Sequence, residues 1–194
     1  MSEQIISSEV DLARRLMAGD VEAFEPFVNL FHKKLFHFTF LTCGHREDAE
    51  EVAQETLLKM FTSFSQLRDA EHVRPWVFQI ARNVCASKRR KSVFAPVAEI
   101  SLDELEPLGG ELADWKKVPE QAAISEELNE ALRAAIRKLP DLYQPVLLLR
   151  DVEGLSTKET AEVLAIAEDA VKTRLHRARL AVRQELDGYL KGQR

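Results

Sequence analysis

The sequence predicts an all-α protein of two small helical domains joined by a flexible linker, and three observations carry that expectation. Apolar residues recur at three- and four-residue spacing along most of the chain, while strand-like alternation is absent. From 92 to 119 the periodicity fails, and Pro96, Pro107, Gly109, Gly110 and Pro119 punctuate an acidic stretch too long for a connection inside one compact domain. Near the C-terminus two short helical patterns flank a tight turn, which spells a helix-turn-helix. The expected division is 1–92, a linker over 93–122, and 123–194.

Element by element, Asp20 can cap a helix carrying Ala23, Phe24, Phe27, Val28, Phe31, Leu35 and Phe38 inward, with Gly44 placed to end it. Pro26 should bend that helix or delay its start. Apolar residues at 49, 52, 53, 57, 60, 61 and 64 make 46–65 one amphipathic helix. A third begins with Pro75 at its first position, buries Trp76, Val77, Ile80, Ala81 and Val84, and ends in a basic run. Past the linker, Leu128, Leu132, Ala135, Ile136 and Leu139 mark a helix stopped by Pro140, and an apolar run covers 146–149. Ser156 and Glu159 have the spacing of a capping box that opens a helix to Leu164. After a break at 165–167 the last helix turns Ala170, Val171, Leu175, Ala178, Val182 and Leu186 to one face.

With 45% hydrophobic and 30% charged residues, the 194-residue chain has the balance of a globular protein able to bury a core. Its apolar stretches are broken by charge every few residues. The first twenty residues lack the basic flank, apolar block and cleavage site of an export signal, so no membrane insertion and a cytoplasmic location are expected. Cys43 and Cys85 form no CxxC pair, which fits a reducing compartment.

A net charge of -5 by itself argues against a nucleic-acid binder, because neutralising phosphates takes Lys and Arg. Distribution answers this. Arg82, Lys88, Arg89, Arg90 and Lys91 fall within 82–91, and Lys172, Arg174, Arg177, Arg179 and Arg183 within 172–183, with no acid in either window. Acid is gathered elsewhere: ten carboxylates stand between Glu99 and Glu130 against Lys116 and Lys117. Such blocks suggest separate surfaces for separate partners.

The second helix of a helix-turn-helix enters the major groove. With the apolar face inward, Lys172, Thr173, His176, Arg177 and Arg179 are left outside, a set able to reach phosphates and base edges. Asn83 beside Arg82 is the type of pair that can hold a backbone while touching a base. Either face could also be merely solvated. No Gly-rich phosphate loop and no Ser/His/Asp arrangement appears, so neither catalysis nor a cofactor is expected. His32, His37, Cys43 and His45 fit no closed zinc motif, and metal or redox sensing through Cys43 or Cys85 is set aside. A metal nuclease built on Glu50 and Glu51 or Asp103 and Glu104 finds nothing in sequence converging on those acids.

Two longer patterns resemble a known family. Asp48-Ala49-Glu50-Glu51-Val52-Ala53-Gln54-Glu55-Thr56-Leu57, followed by Arg74-Pro75-Trp76-Val77-Phe78-Gln79-Ile80-Ala81-Arg82-Asn83, looks like region two of the extracytoplasmic-function (ECF) sigma factors of the sigma-70 family. Leu139-Pro140, Val146 to Arg150, Glu153-Gly154-Leu155-Ser156 and Val171 to Arg179 are similar to their region four, and both occur in family order.

That resemblance implies a transcription initiation factor that directs core RNA polymerase to promoters. It assigns Asp48, Glu51, Gln54 and Glu55 to the polymerase, and their spacing does put an acidic stripe on one helix face. It assigns the loop 65–73 to a base flipped from the -10 element, with Arg68, Arg82, Asn83, Lys88, Arg89 and Arg90 holding the strand. Lys172, Thr173, Arg174, His176, Arg177 and Arg179 would read the -35 duplex. An anti-sigma factor that masks both DNA surfaces is the further implied partner. The chain departs from the family at Ala165 and Ala167, where Gly and a Ser cap are frequent, at Pro145, and in the -10 loop, which lacks the frequent Gly. The alternative is a stand-alone helix-turn-helix regulator that uses 20–92 for dimerisation or ligand binding.

Overall fold

A computed structural model describes residues 2–43, 46–91 and 126–192. Among them every regular element is helical, as expected. The N-terminal unit contains α1 (Ser2–Met17), α2 (Phe24–Cys43), α3 (Arg46–Ser63) and α4 (Val73–Lys91). The C-terminal unit contains α5 (Glu126–Arg137), the single turn α6 (Gln144–Leu147), α7 (Thr157–Leu164) and α8 (Glu168–Gly192). The linker expectation, and Gly44 as a helix stop, lie outside the described residues.

Helix starts follow their caps. Asp20 accepts from the Glu22 N–H at 3.1 Å and opens a 3-10 turn (Val21–Ala23) that runs into α2, so Pro26 falls in the first turn, where no partner for its missing N–H is needed. Asp69 does the same for the Ala70–His72 turn, accepting from the Glu71 N–H at 3.0 Å. Helix α4 therefore begins at Val73, two residues before the start expected at Pro75. Helix α3 stops at Ser63 and tightens into a 3-10 turn (Phe64–Gln66). Leu148–Val152 continues α6 as a π-helical turn.

The N-terminal unit wraps α1, α3 and α4 around α2. Phe27, Phe31, Leu35 and Phe38 of α2 are buried together with Val73, Val77, Phe78 and Ala81 of α4, and Phe38 meets Phe78 edge-on at 5.3 Å. Thr39, fully buried, donates to the Leu35 carbonyl (2.8 Å) and lies 3.0 Å from that of Ala49, which ties α2 to α3. In the C-terminal unit Val146, Leu148, Leu149, Leu155, Val163, Val171, Leu175 and Ala178 close the core. The two units also pack on each other, α4 against α7 and α2 against α5, so the apolar core is continuous between them.

Candidate nucleic-acid interface

The helix-turn-helix is set by local hydrogen bonds. Ser156 Oγ accepts from the Glu159 N–H (3.1 Å) while the Glu159 carboxylate accepts from the Ser156 N–H (2.6 Å), completing the capping box anticipated at α7. At the other end Ala165 adopts the left-handed conformation (φ 54°), and the Ile166 N–H donates to the Ala161 carbonyl at 3.1 Å. This is the Schellman geometry that glycine usually supplies, and a Cβ there costs about 1 kcal/mol or more.

The turn delivers α8 with Val171, Leu175, Ala178 and Val182 buried. Lys172, Thr173 and His176 are exposed, and Arg174, Arg177 and Arg179 are half-buried beside them. Several of these cations already have anionic or polar company. Lys172 contacts Asp169 at 2.9 Å, which raises the lysine's pKa and lowers that of the aspartate. Arg179 donates to Asp151 from Nε (2.9 Å) and Nη2 (2.6 Å), and Arg177 donates to the Tyr143 hydroxyl at 3.4 Å. Thr173 Oγ1 donates to the Asp169 carbonyl at 2.9 Å.

Arg68 lines a cleft of about 370 Å³ together with Leu67, His72 and Trp76 around the start of α4 and with Glu162 and Val163 of α7. Asp69 at its edge is held below the usual carboxylate range, first by the Glu71 N–H and then by His72. Arg82 is half-buried and Asn83 exposed farther along α4, with Lys88 near its end. Helix α4 is nineteen residues long, and from Trp76 at the cleft to Lys88 it rises about 18 Å, so these residues form a track along α4 and not one pocket. The side chains of Arg89 and Arg90 lie outside the described residues.

Lys88 reaches across to α3, where it contacts Asp48 at 2.9 Å and bonds to Glu51; those bonds raise its pKa, Glu51 contributing most. Gln54 is exposed and Glu55 half-buried, the latter paired with Lys59 at 2.8 Å. Phe61, expected inward, is instead 60% exposed and meets Phe24 edge-on at 5.1 Å. With exposed Leu58 it continues the flank of Glu51 and Gln54.

Residues 24–93 match the family model for Sigma-70 region 2, and residues 129–182 match that for Sigma-70, region 4. The RNA polymerase sigma factor YlaC of Bacillus subtilis is 30% identical over 165 residues, covering 85% of this chain and 92% of its own length. The chain belongs to the ECF sigma factors of the sigma-70 family. The ECF sigma factor SigW of the same organism is 29% identical over 175 residues, 89% of this chain and 94% of that one. Two solved structures share the fold. CnrH in complex with the cytosolic domain of CnrY has a TM-score of 0.63 at 22% identity, covering 93% of this chain and 98% of that one. RpoE in complex with the anti-sigma factor NepR, from Bartonella quintana, has a TM-score of 0.64 at 21% identity, covering 86% and 98%.

The sigma factor is thus a transcription initiation factor whose regions 2 and 4 recognise promoter elements, and the stand-alone regulator gives way to that reading. Among the described residues no helix is long and apolar enough to cross a membrane, and no group of three His, Cys, Asp or Glu gathers as a metal site.

Sequence reasoning missed α1 altogether, and with it the charged residues that gather where the units meet: buried Glu9, Arg74 and Glu153, with half-buried Lys34. Arg74 and Glu153 stand inside the family-like motifs, yet nothing in their local pattern pairs them. The one usable signal was a charged residue placed on an otherwise apolar helix face.

Proposed function

We propose that the sigma factor divides its work among three faces. The Asp48, Glu51, Gln54 and Glu55 stripe of α3, extended by exposed Leu58 and Phe61, docks on core RNA polymerase. The cleft at Arg68 receives a base from the -10 strand while Arg82, Asn83, Lys88, Arg89 and Arg90 hold its backbone along α4. The outward face of α8, with Lys172, Thr173, Arg174, His176, Arg177 and Arg179, reads the -35 duplex. The single observation that carries this is the exposure of Lys172, Thr173 and His176 on a helix whose opposite face is buried by Val171, Leu175 and Ala178.

On this reading the functional units are 1–92 and 123–194, joined by 93–122. The protein acts in the cytoplasm and performs no catalysis of its own. An anti-sigma factor is its further partner, as RpoE is found in complex with the anti-sigma factor NepR. Pull-down with purified core enzyme tests the polymerase face: Asp48→Lys with Glu51→Lys should abolish capture, and undiminished capture would refute the assignment. Transcription in vitro from a genomic library, with start sites mapped, then tests the two DNA faces through Arg82→Ala and Arg177→Ala.

A further inference from the structure

Two cations on the outward face of α8 have loosely held partners. Lys172 pairs with Asp169 one turn back on the same helix, where the aspartate side chain is 91% exposed, and Arg177 meets the Tyr143 hydroxyl at 3.4 Å. Arg179 differs. Its Nε lies 2.9 Å from Asp151 Oδ2 and its Nη2 2.6 Å from Asp151 Oδ1, a two-point contact with another element of the unit. Paired hydrogen bonds between a planar guanidinium and a carboxylate fix direction as well as distance. The two side chains are 34% and 32% exposed, so the pair lies at the surface and not in the core.

The backbone brings Asp151 there. It lies in the π-helical turn Leu148–Val152, closed by the Glu153 N–H on the Leu148 carbonyl at 2.9 Å, with Leu148 and Leu149 buried while Asp151 reaches α8. Such turns are uncommon and concentrate at functional sites. A guanidinium has five N–H bonds, of which the carboxylate takes two. The rest, on Nη1 and Nη2, have no acceptor among the described residues, and they include the end-on pair that matches a phosphate. Position favours phosphate over base. Arg179 stands eleven residues past Glu168, about 16 Å along α8, whereas a recognition helix reads bases from its N-terminal residues.

We propose that Asp151 is a positioning residue for promoter binding: it holds the Arg179 guanidinium end-on for a phosphate of the -35 duplex. This rests on the assignment of the outward face of α8 to that duplex. Two effects of the carboxylate oppose each other. Its charge repels the phosphate, which sits across the guanidinium at about 7 Å, the sum of two hydrogen bonds and the group between them. In water at physiological salt, with a Debye length of about 8 Å, that repulsion is worth only about 1.5-fold in affinity. Its grip removes rotamer freedom that Arg179 would otherwise lose on binding, worth about two- to twelvefold for a long side chain. The grip prevails, so an acid on a DNA-facing surface strengthens DNA binding.

Affinity of the holoenzyme for promoter duplexes recovered by start-site mapping, measured over a range of salt, tests this. Asp151→Ala should weaken binding about threefold and leave the slope of log affinity against log salt unchanged, because Arg179 keeps its charge. Arg179→Ala should weaken binding more and reduce that slope by about 0.9. With Arg179 already replaced, Asp151→Ala has no guanidinium to release and should tighten binding by about 1.5-fold. The pair lies at the surface, so the variants should keep their fold, which circular dichroism checks; Asp151→Asn, of the same shape as the wild type, should also weaken binding. Unchanged or tighter binding by both Asp151 variants, beside a reduced slope for Arg179→Ala, overturns the positioning role and leaves Arg179 on the duplex. Weakening by Asp151→Ala that persists in the Arg179→Ala chain also overturns it, since the acid then acts without the arginine. An unaltered slope for Arg179→Ala takes Arg179 off the phosphates, and the assignment of this residue to the -35 duplex fails together with the proposal.

Discussion

Packing of the two units against each other, their closure, should depend on pH through Glu153, a buried residue of the C-terminal unit that lies 3.9 Å from Lys34 of the N-terminal unit. Its carboxyl is pushed up from the ordinary 4.5 to about 7, mainly because burial strips it of water; Lys34 and Arg74 pull it back down, and Glu9 adds to the rise. A carboxyl raised in the closed state favours closure while protonated. Closure is thus strongest below about 4.5, weakens as pH climbs toward about 7, and is flat above. The gap between the two values corresponds to about 3 kcal/mol across the whole window, and to about a tenfold rise in the closure constant from pH 8 to pH 6. His37 works against this. Half-buried on α2, with its pKa lowered by burial and by Arg133 of α5, it resists protonation and so disfavours closure as pH falls below its ordinary 6.5. Measuring the closure constant of the wild type against Glu153→Gln, by energy transfer between fluorophores attached at exposed Ser65 and Lys158, cancels that opposing contribution, because both proteins keep His37. The ratio of the two constants should change about tenfold between pH 8 and pH 6. A ratio flat across that range would refute the role given to Glu153 at the junction of the units.

Three further outcomes follow from the helix-turn-helix. Ala165→Gly relieves the left-handed strain at the end of α7 and should stabilise the protein by about 1 kcal/mol, less the entropy glycine adds to the unfolded chain, read as an upward shift in the calorimetric midpoint. Ser156→Ala removes the cap of the same helix and should cost about 1 kcal/mol in urea denaturation. Lys172→Ala should reduce the slope of log affinity against log salt for -35 duplex binding by the holoenzyme by about 0.9, with little change in sequence preference; an unchanged slope would remove Lys172 from the phosphate contacts.

The helices were readable in sequence wherever one apolar stripe faced one core. Helix α8 with Val171, Leu175, Ala178 and Val182 is such a case, and so is the Ser156–Glu159 cap, a purely local interaction. The start of α4 was misjudged because Asp69 captures the Glu71 N–H and nucleates a turn before Pro75, so the capping aspartate and not the proline sets the boundary. Phe61 was placed inward because spacing alone cannot distinguish a core position from one packed edge-on against Phe24 at the rim. The motifs point to the faces proposed for DNA, but not to the company their cations keep. That Lys88 would meet Asp48 and Glu51, or Arg74 meet Glu9, depends on which helices touch, and those residues are 40 and 37, then 65, positions apart along the chain.

The pairing of Lys88 with Asp48 and Glu51 joins the two assigned functions of the N-terminal unit. The lysine proposed to hold the -10 strand is bound in the free protein by acids proposed to hold the polymerase. Surface pairs of this kind contribute only about 0–1 kcal/mol each, so they cannot lock the lysine away, but they set an order of events. When the polymerase takes the two carboxylates, Lys88 loses its partners and its charge becomes available to phosphate. DNA then competes with water and no longer with protein acid. Neutralising both acids, Asp48→Asn with Glu51→Gln, should therefore move two affinities in opposite directions: weaker capture by core polymerase in pull-down, and tighter binding of single-stranded DNA by the free chain in fluorescence anisotropy at low salt. A stripe that is only a solvated helix face would leave polymerase capture unchanged. Acids that serve the polymerase without restraining Lys88 would leave DNA binding changed no more than an equal neutralisation at exposed Glu22 and Glu25 of the same unit, which is the control for net charge.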